Sequence, residues 1–563
     1  MKGGTARGPV AAGLLVFLLA ACGCGPRLDS WYVDSLVKVF PDDAKGAHEL
    51  AGEPWLVPRN GHATIPIAIR SKAGVSRLSV AAQGPRLGSR RLPVQTRRAG
   101  YVPVGSNPAG TPPDEVVREA PALYPDPLLE DFPFDLPAGE THAVVLTVYC
   151  PAGTPPGDYQ GEVEFRAGDR RIGARRFTVR VVNATVPEKP SLKVTNWFNL
   201  DEAHLRAHYP AMVRDPEAYW QILENIGRVM AEHRQNTMLT PVTSLVDASV
   251  SGGTIRYSFA RLDRWVSTFE KVGLIGTIEG GHLLGRKSGF QTQMVIPAYV
   301  IEGGKPVWKN LEPEDPSGEK FFNSFLPALF AHLKEKGWQD RYIQHIHDEP
   351  HGAEAPVYNR YGKIIRRNLP GVPTIDAVGF DQDIGFFAEV ADIWVPVLSS
   401  FDQRLDLMRG HMKKGGQCWF YTCIGPQGRY LNRFIDYPLL KVRLLHWFNF
   451  RHELSGFLHW GGNFWGPKPF ENVQTVINDN HTLLPAGDNA IVYPAPGKNS
   501  VLSSLRLEAM REGIEDYELL VALSKKDPQK ARALAAGAIP HISDYVRDVA
   551  RFRALDRQLL EAF

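Results

Sequence analysis

The stretch Tyr342-Ile343-Gln344-His345-Ile346-His347 shows the pattern that decides the fold of this 563-residue chain. It is a short, largely apolar strand that follows an amphipathic helical stretch, and this alternation recurs from residue 191 onward. Repeated strand and helix patterns are typical of βα units on a parallel sheet, and eight units over about 270 residues indicate a (β/α)8 barrel. Its strands are predicted at 192–198, 236–242, 274–279, 342–347, 374–378, 393–398, 418–423 and 457–460.

Helices are predicted at 217–232, 321–336 and 438–450. The segment 283–320 is rich in Gly and Pro, and we expect it to be an insertion beside the active face. The tail, 503–563, is predicted to be helical and to pack on the outside of the barrel through Leu505, Leu507, Met510, Ile514, Tyr517 and Leu520. Its charged residues Arg506, Glu508, Arg511, Glu512, Glu515 and Asp516 are expected to form an ion-pair network that docks the tail.

The region before the barrel has a different pattern, with short apolar stretches separated by Gly and Pro. It predicts a β-sandwich over 26–188, with strands at 63–69, 143–149, 161–165 and 176–182. The stiff stretch Val186-Pro187-Glu188-Lys189-Pro190 is expected to separate the sandwich from a barrel domain at 191–563. The predicted fold is therefore a multidomain chain: a β-sandwich, a (β/α)8 barrel and a helical C-terminal extension.

Residues 1–22 have the layout of a secretory signal: a short basic region, an apolar run at 10–21, and Cys22. Leu19-Ala20-Ala21-Cys22 resembles a bacterial lipobox, which implies lipidation of the Cys22 thiol after cleavage at Ala21. Gly23 then implies transfer to the outer membrane. We therefore expect export across the inner membrane and membrane contact through a lipid anchor only; the alternative is a plain cleaved signal with an incidental cysteine.

Composition excludes several classes of partner. The net charge is +3, with acidic and basic residues dispersed, so nucleic acid is not an expected partner. Beyond Cys22 and Cys24 only Cys150, Cys418 and Cys423 remain, without a CxxC pair, which indicates neither a disulfide framework nor a zinc site. No cofactor is expected, and the sequence does not specify an oligomeric state.

Two adjacent carboxylates, Asp348 and Glu349, follow the fourth predicted strand at the barrel face where reacting groups collect. Pro350 is expected to hold Glu349 extended, so that both side chains line one pocket. Most glycosidases use carboxylates from separate positions, about 5–9 Å apart. Adjacency instead suits substrate-assisted cleavage of 2-acetamido sugars. Glu349 would then protonate the leaving oxygen, while Asp348 would orient the acetamide and offset the charge of the oxazolinium.

Three motifs together resemble glycoside hydrolase family 123: His-Asp-Glu-Pro at 347–350, Phe-Leu-His-Trp at 457–460, and Ser-Leu-Arg-Leu-Glu-Ala-Met-Arg-Glu-Gly-Ile-Glu-Asp-Tyr-Glu at 504–518. The likeness extends from about residue 30 to 525. It implies a retaining, substrate-assisted β-N-acetylgalactosaminidase with a carbohydrate substrate, in which the family's Asp-Glu pair matches Asp348 and Glu349. Alternatives are a glycosidase of the same fold for another sugar and a non-catalytic carbohydrate-binding lipoprotein.

Other residues at the strand ends complete the predicted site. His347 is expected to orient a catalytic carboxylate or a sugar hydroxyl, and His345 to lie inside the barrel. Each strand-end aromatic residue is expected either to stack on a sugar or to belong to the core. Tyr421 is also a candidate hydrogen-bond donor to the acetamide oxygen. Glu279 and His282 are candidate hydroxyl binders. A metal site built from His345, His347, Asp348 and His351 is the weaker alternative, so no metal is expected. The candidate stacking residues are Trp197, Tyr421, Trp460 and Trp465.

Overall fold

The computed structural model describes residues 1, 27–50, 54–289, 292–350, 352–379, 385, 389–476 and 482–563. The predicted signal peptide after Met1, with Cys22, and also His351 lie outside the described residues. Within the described part, no helix has the length and apolar character needed to cross a membrane.

The N-terminal region folds as two antiparallel-rich sheets that pack face to face. One sheet has the order β1-β3-β9-β6-β7 and the other β2-β11-β10-β4-β5, with β8 paired to β4. Alternating side chains such as Val144, Leu146, Val163 and Phe165 are fully buried between the sheets, which is why these stretches form strands. The strands are β1 (Asp29–Tyr32), β2 (Trp55–Arg59), β3 (Gly61–Arg70), β4 (Val75–Leu87), β5 (Arg90–Arg91), β6 (Val94–Val104), β7 (Ala122–Leu129), β8 (Phe134–Leu136), β9 (Thr141–Cys150), β10 (Gly157–Ala167) and β11 (Arg170–Thr185).

Eight parallel strands then form a nearly closed barrel, and each coincides with a predicted strand. Neighbours follow the order β12-β24-β23-β22-β21-β20-β16-β13. The two end strands approach each other where the Asn236 amide donates to Val194 O at 3.3 Å and the Asn236 side chain accepts from Val194 N at 3.0 Å. The strands are β12 (Lys193–Asn196), β13 (Thr237–Thr240), β16 (Thr277–Gly280), β20 (Tyr342–His345), β21 (Thr374–Val378), β22 (Ile393–Pro396), β23 (Gln417–Thr422) and β24 (Gly456–His459).

The connections carry the barrel helices and two small antiparallel additions. A hairpin of β14 (Asp247–Ser251) and β15 (Thr254–Ser258) precedes the third barrel strand. The predicted insertion forms a sheet of β17 (Gly285–Arg286), β18 (Met294–Glu302) and β19 (Lys305–Leu311), and its last residues begin a helix. The helices are α1 (Glu202–His208), α2 (Glu217–Glu232), α3 (Ala260–Glu270), α4 (Pro316–Glu335), α5 (Ala355–Asn368), α6 (Phe401–Lys413) and α7 (Leu439–Arg451).

The tail adds β25 (Tyr493–Ala495), β26 (Ser500–Leu502), α8 (Leu505–Ser524), α9 (Pro528–Ala538) and α10 (Val549–Leu560). Helix α8 packs on α7 outside the barrel, but its other side is covered by the sandwich, so residues 505–520 are buried on all sides. Glu508 pairs with Arg97 of the sandwich at 2.8 Å, and Asp516 with Arg443 of α7 at 2.8 Å. The predicted ion-pair network is confirmed, and it lies between the sandwich and the barrel.

Candidate active site

The adjacent carboxylates lie just beyond the carboxyl end of β20, in the mouth of the barrel. Tyr421, on β23, donates its hydroxyl to Glu349 Oε1. Gly379 directly follows β21, and a Cβ atom at this position would be 3.7 Å from the Glu349 carboxyl group. Both acidic residues are partly buried, and 41% of the Asp348 side chain is exposed. The pair therefore lines an open depression that a ligand can enter.

The backbone at the pair is strained. Glu349 has a φ of 41°, in the left-handed region, so the prediction that Pro350 holds it extended is wrong. Arg286, from β17 of the insertion, donates to the carbonyl oxygens of Asp348 at 3.2 Å and Glu349 at 3.1 Å. Such a conformation costs on the order of 1–3 kcal/mol and persists only where its surroundings enforce it. The Arg286 contacts hold this turn, which brings two neighbouring side chains to one depression.

The same surroundings raise the pKa of both acids. Desolvation by the walls of the depression raises the pKa of Asp348 to about 6, opposed by the positive charge of His345 and reinforced by the negative charge of Asp376. Desolvation and the charge of Asp348 raise the pKa of Glu349 to about 7, and the hydrogen bond from Tyr421 opposes this rise. Between these values, Asp348 is ionised while Glu349 is protonated. This order of pKa values suits a pair in which Asp348 acts as an anion and Glu349 as an acid.

His282, which follows β16, faces Asp348 from another side of the depression. Its Nε2 atom is 3.8 Å from Asp348 Oδ1, and its ring centroid is 4.5 Å from that of His345. Desolvation and the positive charge of His345 hold the pKa of His282 well below its usual value, so the ring is neutral. Nε2 is buried and has no hydrogen-bond partner among the described residues. A neutral ring nitrogen can accept a hydrogen bond, and the binding of a sugar hydroxyl by His282 stays a prediction.

A family model described as the glycoside hydrolase 123 catalytic domain matches residues 203–523. The chain belongs to glycoside hydrolase family 123. Its structure is similar to that of a family 123 glycoside hydrolase from Clostridium perfringens, reported for the details of glycolipid glycan hydrolysis. The TM-score is 0.71 and the identity 15%, over 95% of this chain and 96% of that one. A family 39 glycoside hydrolase from Bacteroides cellulosilyticus matches with a TM-score of 0.36 and 12% identity, over 77% and 80% of the two chains. No curated protein matches.

Two of the predicted sugar contacts lie beneath the family 123 site. Glu279 is fully buried: Oε2 accepts from Thr195 Oγ1 at 2.6 Å, and Oε1 accepts from Trp197 Nε1 at 2.9 Å. Its carboxylate is occupied by protein donors, so the prediction that it binds a sugar hydroxyl is wrong. Trp197 is 7% exposed and packs its ring edge on His282 and His345, which makes it part of the floor.

The remaining predicted residues occupy different positions. Trp460 is half-buried beside Tyr421 in the cluster that fills the barrel end, and its Nε1 donates to Asp488 Oδ2 at 3.2 Å. Trp465 is only 6% exposed; it donates to Val492 O at 2.8 Å and packs on His204, so its predicted stacking on a sugar is wrong. His347 is 1% exposed, and its Nε2 lies 4.0 Å from Glu354, the acidic partner of Arg286. It therefore faces the Arg286–Glu354 ion pair, whose arginine holds the turn at Asp348 and Glu349.

One group of described residues, His282, His345 and Asp376, has the spacing of metal ligands, with ligand atoms within 4.8 Å of one another. The chemistry of this group fits a hydrogen-bonded cation better than a metal. Both ring nitrogens of His345 lie 2.9 Å from carboxylate oxygens, one on Asp376 and one on Glu279. A metal ligand needs a deprotonated ring nitrogen, whereas two carboxylate partners require two N–H groups. Asp376 and Arg286 were not predicted as site residues. Asp376 lies within β21 and Arg286 in the insertion, so neither follows the end of a barrel strand.

Proposed function

We propose that this chain is a retaining, substrate-assisted exo-glycosidase that removes terminal β-linked N-acetylgalactosamine, or a related 2-acetamido sugar, from glycans. The observation that carries the proposal is the pair itself. Asp348 and Glu349 are adjacent and line one depression, and the pKa of each is raised by burial, with that of Glu349 raised further by the charge of Asp348. Neighbouring residues leave no room for a sugar between two flanking carboxylates, so the nucleophile has to come from elsewhere. The acetamide of the substrate supplies it.

In the proposed mechanism each group has a role. Glu349, protonated, donates its proton to the glycosidic oxygen as the bond to the anomeric carbon breaks. The acetamide oxygen attacks that carbon, and Asp348 accepts a hydrogen bond from the acetamide N–H and offsets the positive charge of the oxazolinium. Glu349, now ionised, then takes a proton from the water that opens the ring. Tyr421 holds the Glu349 carboxyl group during both steps.

Membership of family 123 supports glycoside hydrolysis, and the choice of sugar rests on the acid pair. The similar enzyme from Clostridium perfringens was reported for the details of glycolipid glycan hydrolysis. For this chain we propose the ends of glycolipid, glycoprotein or polysaccharide glycans as substrates. A barrel that binds carbohydrate without cleaving it is disfavoured, because Asp348 and Glu349 are both present and Tyr421 contacts Glu349. No cofactor takes part in the proposed steps.

The test is a panel of aryl glycosides that pairs 2-acetamido sugars with their 2-hydroxy counterparts in galacto and gluco configuration. We expect hydrolysis of the β-N-acetylgalactosaminide, and a slower rate in Glu349→Gln that is most pronounced for glycosides with a poor leaving group. Glu202→Gln is the matched control, since Glu202 is an exposed carboxylate at the start of α1 and its replacement should leave the rate unchanged. Cleavage of 2-hydroxy sugars alone would overturn the choice of substrate, and no cleavage of any sugar would favour the binding protein.

A further inference from the structure

A buried row of three charged side chains lies under the acid pair. His345 points into the barrel from β20, between Asp376 on β21 and Glu279 on β16. Its Nδ1 is 2.9 Å from Asp376 Oδ1, and its Nε2 is 2.9 Å from Glu279 Oε1. None of the three is more than 1% exposed. An ionised carboxylate only accepts hydrogen bonds, so His345 must carry a proton on both nitrogens to satisfy both partners.

The two carboxylates are themselves fixed by donors that a protonated carboxyl group would not need. Asp376 accepts from the Tyr358 hydroxyl at 2.7 Å and from the backbone amide of Ile346 at 3.1 Å. Glu279 accepts from Thr195 and Trp197. Charge-assisted hydrogen bonds of this kind favour the ionised form of a carboxyl group and oppose the burial that raises the pKa of Asp376, and they hold the ring in one orientation. Although burial alone would lower it, these bonds and charges raise the pKa of His345 to about 9.

The row acts unequally on the two acids. The charges that act on Asp348 include those of His345 and Asp376, whereas the charges that act most strongly on Glu349 are those of Asp348 and Arg286. Asp348 is three residues from His345. Among the described residues, the other charged or titratable groups that face it are His282, Arg286, Glu349, Tyr421 and Cys423. His282 is neutral, and Arg286 acts on both members of the pair. Among these groups, the His345 cation is the one that favours ionisation of Asp348 without acting comparably on Glu349.

We propose that His345, held as a cation between Glu279 and Asp376, is a positioning residue that keeps Asp348 ionised while Glu349 carries the proton. Two neighbouring carboxyl groups titrate as a coupled pair, so their adjacency alone does not decide which of them keeps the proton. A cation buried beneath one of them removes that ambiguity, since an opposite charge favours the ionised form. This inference rests on the proposed function, in which Asp348 acts as an anion.

The first test compares pH profiles of kcat/KM for His345→Gln and Asp376→Asn. His345→Gln removes the cation, so the acidic limb, which reports ionisation of Asp348, should move up by about one pH unit. Asp376→Asn removes a negative charge that opposes ionisation, while Glu279 still holds the cation, so the same limb should move down. Tyr358→Phe removes one donor and no charge, and its limb should stay near that of the wild type. Uniform rate losses with unmoved limbs would overturn the proposal and leave a purely structural role.

The second test needs neither activity nor a folded His345→Gln variant. NMR of histidine-labelled wild-type enzyme, with the His345 signal assigned by comparison with Asp376→Asn, should show an imidazolium at neutral pH that loses its proton only near pH 9. A neutral His345 ring at pH 7 would overturn the inference. If the wild type cleaves no 2-acetamido sugar, the proposed function fails, and the NMR result still decides whether the cation exists.

Discussion

The dependence of the rate on pH follows directly from the two shifted acids. The active form has Asp348 ionised and Glu349 protonated, so kcat/KM falls as pH drops through the pKa of Asp348 and as it rises through that of Glu349. With values of about 6 and about 7, the profile is a narrow bell centred near pH 6.5.

Asp348→Asn is the perturbation that tests this assignment. It removes the negative charge that raises the pKa of Glu349, so the basic limb should move to lower pH. The acidic limb should disappear with the group that produced it. The assay is kcat/KM for an activated aryl 2-acetamido glycoside from about pH 4 to pH 9, on which residual activity is measurable. A basic limb that stays in place or moves up in Asp348→Asn would refute the assignment of the proton to Glu349.

Three other predictions concern single replacements. Glu349→Gln should slow a substrate with a poor leaving group by roughly 10²–10⁴-fold and an activated aryl glycoside much less, as measured by the slope of log kcat/KM against leaving-group pKa; equal losses would contradict its role as acid. Glu508→Gln removes the carboxylate that pairs with the buried cation Arg97, so urea unfolding should show a loss of stability of about 3–5 kcal/mol. The control is Asp158→Asn, which breaks the exposed Asp158–Arg180 pair and should change stability by less than about 1 kcal/mol. We also propose lipidation of Cys22, and a Cys22→Ser chain should lose labelling by a fatty-acid probe; an unlabelled wild type would contradict the anchor.

The architecture could be predicted because its signal is local. Apolar strands of four to six residues alternate with amphipathic helices, and all eight barrel strands were found at their positions. The hairpin of β14 and β15 was missed, since its strands are half-exposed and short. The apolar stripe predicted for α8 describes only part of its buried surface. Its charged side is as buried as its apolar side, because partners from the sandwich and α7 neutralise it.

The site could be predicted only where its residues lie at or just beyond the end of a barrel strand. Asp348 and Glu349 follow one strand, and Tyr421 ends another, so the barrel rule places them together. Arg286 and Asp376 come from an insertion and a different strand, and only the fold shows what they contact. Glu279 and Trp465 illustrate the opposite error: polar or aromatic residues near a strand end are as easily bound by protein groups as by a ligand, and sequence does not show which. The left-handed turn at Glu349 was not predicted, because the contact that holds it comes from Arg286, which is distant in sequence.

The participation of the acetamide group is tested most directly by a thiazoline analogue of the cyclised intermediate. Wild-type enzyme should bind the galacto-configured thiazoline at least about 100-fold more tightly than N-acetylgalactosamine, because the charge of Asp348 complements the intermediate. Asp348→Asn should lose most of this preference while still binding the free sugar. A thiazoline that does not inhibit, together with a 2-hydroxy glycoside that is cleaved as fast as its 2-acetamido counterpart, would show that the acetamide is not the nucleophile.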